Sequence, residues 1–122
     1  MSLADNVATL TALANDRGYD EVFVYQLKAF FEPADVLIAI SASGNSSNVL
    51  NAAIFANEHG GTTIGFVGFD GGRLKPLCHH VLHVATAVGD YGVVEDVHLV
   101  FDHVLTGCLR HLALESGLTV AT

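Results

Sequence analysis

Seven consecutive residues, Ser41-Ala42-Ser43-Gly44-Asn45-Ser46-Ser47, supply a dense set of neutral hydrogen-bond donors. Five of the seven are Ser or Asn. An apolar run, Val36 to Ile40, precedes them, and an amphipathic helical pattern follows. A strand, a tight loop and a helix N-terminus in that order gather backbone N–H groups, hydroxyls and the positive end of a helix dipole around one point. A phosphate, with several acceptor oxygens, fits there. Capping a helix needs only one such residue, Asn45 or Ser46. The number of donors favours phosphate binding over capping alone. Neither Gly-Lys-Ser/Thr nor Gly-x-Gly-x-x-Gly occurs, so this is not a nucleoside-triphosphate loop or a dinucleotide fingerprint. The loop has no lysine, so binding rests on neutral donors and the helix dipole.

The surrounding pattern must position that loop. Helices are expected over Asn6–Ala14, Asp20–Phe31, Ser47–Glu58 and Val94–Leu114, and a short helical segment over Arg73–Leu77. Val22, Phe23, Leu27, Phe30 and Phe31 form the apolar face of the second helix. Asn15 to Gly18 and Asp70 to Gly72 read as turns. Strands are expected over Val36–Ser41, a buried one, Thr62–Val67 and His80–Ala85. Strands alternating with helices predict an α/β fold, a three-layer parallel sheet with helices on both faces. Ligands of such sheets sit beyond the carboxyl ends of the strands, where the Ser41 and Gly68–Gly72 loops lie. Three strands are few, so the sheet is expected to be incomplete at the N-terminus.

The 122 residues suit one small domain, expected to span 1–122. A net charge of −8 argues against a nucleic-acid surface. Cys78 and Cys108 show neither metal spacing nor a disulfide framework, so a reducing cytoplasm is expected. No signal peptide and no transmembrane run is read.

The run AISASGNSSNVLNAA resembles the sugar isomerase (SIS) domain motif, and TIGFVGFDGGRL resembles its second strand and turn. With Asn15-Asp16-Arg17-Gly18-Tyr19 and the late Glu95-Asp96-Val97-His98 to His103, the chain is most similar to the phosphoheptose isomerase branch. The resemblance implies an SIS fold, flavodoxin- or Rossmann-like. It implies aldose–ketose isomerisation of sedoheptulose 7-phosphate to D-glycero-D-manno-heptose 7-phosphate through an enediol. By position it implies that Ser41, Ala42, Ser43 and Ser46 line the sugar phosphate and that Asn15 and Asp16 contact the sugar. Glu95 stands where the family usually has a glutamine for substrate and metal. His103 falls on its catalytic, metal-binding histidine. Zinc held by Glu95 and His103 is therefore an expectation. Family members begin with helices carrying a further His and an acid/base Glu, and no segment here corresponds to them.

Isomerisation needs a base, an acid and a way to hold developing negative charge. His103 and Glu95 are the candidate acid/base pair. They are eight residues apart, about 12 Å of helix rise, so one shared ion would need a frayed first turn. His98 and Asp102 read as a surface i, i+4 pair. His59, His79, His80, His83 and His111 read as loop, strand-edge or helix-end residues. Cys108, Val97, Phe101, Val104 and Leu112 read as an apolar stripe for core or subunit packing, so a homo-oligomer, dimer or tetramer, is expected. The alternative is a non-catalytic phosphosugar-binding or protein-interaction module.

Overall fold

The computed structural model describes residues 1–117. Helix α1 spans Val7–Arg17, a 3-10 turn covers Tyr19–Glu21, and helix α2 spans Val22–Phe30. Strand β1 (Val36–Ser41), helix α3 (Ser47–Glu58), strand β2 (Thr62–Gly68) and strand β3 (His80–Val84) follow. Helix α4 closes the series at Tyr91–Glu115. The strands are parallel in the order β1-β2-β3, with Ser41 opposite Val67 and Gly68 opposite Val84.

Local chemistry accounts for the ends of these elements. Asn6 caps α1, its Oδ1 accepting from the Thr9 N–H at 3.0 Å. Gly18 ends α1 at φ 94°, a left-handed value that glycine adopts without strain. Asn15 and Asp16, expected in a turn, belong instead to the last turn of α1, because the chain reverses only at Gly18. Residues 73–77 form successive turns rather than a helical segment. The N–H groups of Leu77 and Cys78 both reach back to Leu74 O, and that of Leu74 crosses to Gly44 O, so no helical ladder propagates.

The core lies between the sheet and α3. Ala39, Leu50, Ala53, Val67 and Leu74 cluster there, with α2 packed outside α3. Full burial of a side chain such as Leu74 contributes about 1.5–3 kcal/mol. On the opposite face, α4 runs over β2. Val94 covers Gly68, and His98 and Phe101 cover Phe66. Beyond its first turns α4 leaves the sheet, and Val104, Leu109 and Leu112 are each more than half exposed.

Strand β1 is not the fully buried strand its apolar run predicts. Ala39 and Ser41 point into the core, whereas Val36, Ile38 and Ile40 are exposed on the α4 side. α4 covers β2 and stops short of β1, an edge strand of the sheet. Apolar runs alone do not reveal which face finds a partner.

A buried polar knot fixes the connection from β2 to β3. Thr63, fully buried, donates its backbone N–H to His79 Nδ1 at 3.1 Å and its hydroxyl to Asn57 Oδ1 at 2.9 Å. Asn57 Nδ2 in turn donates to Leu77 O at 2.9 Å. Every polar atom placed here has a partner, so burial carries little penalty. The knot ties the end of the 69–79 segment to β2, leaving its beginning to pack against the serine loop.

Candidate functional site

Strand β1 ends in the serine loop, and the loop ends in α3. Gly44 makes the turn at φ 63°, and a Cβ there would collide with the Gly71 carbonyl. The loop and the 68–74 turn are therefore in direct backbone contact. Gly68 N–H donates to Ala42 O and Leu74 N–H to Gly44 O, both at 2.9 Å.

Ser46 occupies the N-cap position of α3 but makes no capping bond. Its Oγ accepts instead from Ser41 Oγ at 3.2 Å. Asn48 Oδ1 takes the Val49 N–H at 2.9 Å. Among the described residues, no protein acceptor takes the N–H groups of Ser46, Ser47 and Asn48. Three amide donors at the positive end of a twelve-residue helix, beside two paired hydroxyls, form an anion cradle. Ser43 turns the other way, its Oγ accepting the Asn45 N–H at 3.2 Å, so its hydroxyl is partly used within the loop.

Asp20 is a residue that sequence reasoning missed. Its Oδ1 accepts from Ser47 Oγ at 2.7 Å, and its carbonyl accepts from Asn51 Nδ2 at 3.2 Å. It thereby anchors the 3-10 turn after α1 to the head of α3. Asn15 and Asp16 lie just before that turn, exposed, with Asn15 Nδ2 donating to Asp16 Oδ1 at 3.0 Å. Their side chains make no hydrogen bond to the serine loop among the described residues. A carboxylate on a helix N-terminus was the available clue to Asp20, but the nine-residue α2 and strand β1 separate it from the loop in sequence.

The second loop brings cations and a strained residue. Phe69 sits at φ 51°, unusual for a non-glycine, with its ring edge-on to Tyr91 at 5.0 Å. His83 Nε2 donates to Phe69 O at 3.0 Å, and its Nδ1 accepts from Lys75 Nζ at 3.2 Å. Arg73 and Lys75 therefore stand on the turn that abuts the serine loop, which itself has no basic residue.

Glu95 and His103 are both exposed on α4. Val94 and His98 face the sheet, and His103 lies about 180° around the helix from Val94. Glu95 and His103 thus point in different directions about 12 Å apart along the axis. Among the described residues no group of three or more His, Cys, Asp or Glu side chains is placed to hold a metal. Glu95 and His103 of one protomer do not fit a zinc centre by themselves. His98, expected on the surface beside Asp102, is 6% exposed against Phe66, and its Nε2 is buried with no partner. Cys108, expected in packing, is exposed.

The SIS domain family matches residues 1–68. A phosphoheptose isomerase of Helicobacter pylori (strain P12) is 43% identical over 114 residues, covering 93% of this chain and 58% of the relative. That of Aliarcobacter butzleri is 39% identical over 105 residues, covering 86% of this chain and 54% of the relative. The structure of phosphoheptose isomerase GmhA from Neisseria gonorrhoeae superposes with a TM-score of 0.84 at 32% identity. It covers 91% of this chain and 61% of that one. The chain spans a little over half the length of the curated relatives it matches.

Proposed function

The chain belongs to the SIS domain family, and on that premise we propose that it binds a phosphorylated sugar and works as a phosphoheptose-type isomerase. The substrate would be sedoheptulose 7-phosphate and the product the corresponding aldose phosphate. The carrying observation is the unsatisfied head of α3: three free amides beside the Ser41–Ser46 hydroxyl pair. A phosphate monoester dianion supplies the acceptors those donors lack. Holding the phosphate fixes the far end of the sugar, so that remote binding energy orients the reacting carbons.

Proton transfer between adjacent carbons is assigned to His103, with Glu95 as the second acid/base. In one protomer His103 faces away from the sheet. Its role therefore calls for a site completed by a second copy or by further polypeptide. The exposed apolar positions of α4 support a homo-oligomer. A zinc ion would need ligands beyond Glu95 and His103, and no step here runs through one. Among the described residues no helix is long and apolar enough to cross a membrane. Two free cysteines accord with a cytoplasmic setting, which is part of this proposal.

The test is an isomerase assay on sedoheptulose 7-phosphate with wild type and His103→Gln. Turnover lost in the variant while phosphosugar still binds supports the assignment. Equal turnover in both removes His103 from catalysis. The outward placement of His103 favours the second reading, a phosphosugar-binding module without turnover. Saturable binding with no isomerisation by the assembled wild type would select it.

A further inference from the structure

In a loop built to face an anion, each backbone carbonyl is a liability, because its oxygen is partially negative. In the serine loop four successive carbonyls are engaged elsewhere. Ser41 O accepts from Gly44 N at 3.0 Å, Ala42 O from Gly68 N at 2.9 Å and Gly44 O from Leu74 N at 2.9 Å. Ser43 O accepts from Asn45 Nδ2 at 2.9 Å, the one bond of the four made by a side chain.

The same amide group reaches the second loop. Asn45 Oδ1 accepts the Arg73 N–H at 3.2 Å. Among the described residues, Asn45 is the one side chain hydrogen-bonded both to the serine loop and to the 70–74 turn. Gly72 leaves it the space: a Cβ there would meet Asn45 Nδ2 at 2.7 Å and would also collide with Ser43 O. By residue type Asn45 is one of the loop's five Ser/Asn residues and a possible helix cap. It does not cap, and its donor and acceptor are both spent on joining two loops.

We propose that Asn45 is a positioning residue for the phosphate. By bridging Ser43 O and Arg73 N–H, it holds the Ser43 carbonyl away from the ligand and locks the 70–74 turn against the loop. This rests on the phosphosugar reading above. Its specific consequence is that Asn45 acts on the dianionic phosphate end of the ligand, not on the sugar carbons that react.

The experiment measures inorganic phosphate and sedoheptulose 7-phosphate binding by calorimetry to the assembled full chain. Wild type, Asn45→Ala and Asn51→Ala are compared. Asn51 makes one exposed bond at the head of the same helix and controls for structural cost. Asn45→Ala is expected to weaken both ligands about tenfold, with a melting temperature no lower than that of Asn51→Ala. In the isomerase assay its KM should rise by a similar factor while kcat stays within about twofold. Should Asn45→Ala fail to fold, Asn45→Asp keeps the acceptor for Arg73 N–H, loses the donor to Ser43 O and should weaken phosphate by at least as much. Amide exchange in wild type gives an independent reading: phosphate should slow exchange at Arg73. Wild-type phosphate affinity in Asn45→Ala, or exchange at Arg73 indifferent to phosphate, overturns the positioning role alone. Absence of phosphate binding by wild type overturns the phosphosugar reading and this inference with it.

Discussion

A serine hydroxyl offers one proton, and the four serines of the loop offer theirs in different places. Ser47 gives its proton to Asp20, Ser43 receives a loop N–H, and Ser41 and Ser46 face each other. That division separates a ligand cradle from a run of helix caps, and composition could not show it, because each serine looks alike in sequence. Gly44 is the residue on which the geometry is least forgiving. Gly44→Ala should destabilise the fold by about 2–4 kcal/mol, combining left-handed strain with overlap on the Gly71 carbonyl. Urea unfolding would show it as a lower midpoint at unchanged slope. His98 leads to the opposite expectation. Its buried Nε2 lacks a partner, so His98→Phe should be neutral or stabilising by about 1 kcal/mol in thermal unfolding. A clear loss would mean that Nε2 is satisfied by a group outside this chain. Cys78 is held above its ordinary 9.0 by burial, partly offset by a hydrogen bond with Thr63. The folded state thus keeps the thiol proton longer than the unfolded chain does. The contribution is complete below pH 9.0 and declines as pH rises through the folded value. Thiol labelling of the dissociated single chain at neutral pH should modify exposed Cys108 well before Cys78.

At the scale of elements, legibility in the sequence followed the strength of local signals. Strand β1 and helix α3 fall at Val36–Ser41 and Ser47–Glu58 as read, because an apolar run, a Ser/Asn cluster and Gly60-Gly61 bracket them. Asn15 and Asp16 looked like a turn because of their residue types, yet α1 carries them to Gly18, where glycine supplies the left-handed backbone. Residues 73–77 carry helical spacing, but Leu74 N–H is drawn to Gly44 O, a partner thirty positions away that no local pattern announces. Burial was harder to read than secondary structure. β1 shows one open face, and the outer half of α4 shows apolar residues to solvent, because an apolar pattern marks a face without saying whether another element of the chain covers it. At 25 residues α4 is about 37 Å long, and only its first turns rest on β2. If its outer half is an interface between copies, Val104→Lys with Leu112→Lys should lower the sedimentation coefficient to that of a monomer. Phosphate binding at the distant serine loop would survive in part. An unchanged coefficient would show that this half of α4 is not an interface between copies.

At the scale of the whole molecule, the parallel sheet does for function what no single residue can. It brings the ends of β1 and β2 side by side, so that a loop without cations abuts a turn that carries Arg73 and Lys75. With a net charge of −8, the chain does not attract anions by its mean field, and local donors must do so. The proposed acid/base residues are distributed differently. His103 and Glu95 are presented outward on α4, so the proposed turnover would call for completion by other polypeptide. The proposed phosphate cradle, by contrast, draws its donors from within this chain, and it can be tested without any assay of chemistry. The decisive measurement is calorimetric titration of sedoheptulose 7-phosphate into wild type and into a Ser41→Ala/Ser46→Ala variant, with unphosphorylated sedoheptulose as control. Saturable binding of the phosphorylated sugar alone, lost in the double variant, is the expected result. No binding by wild type, or equal binding by the variant, would contradict the account.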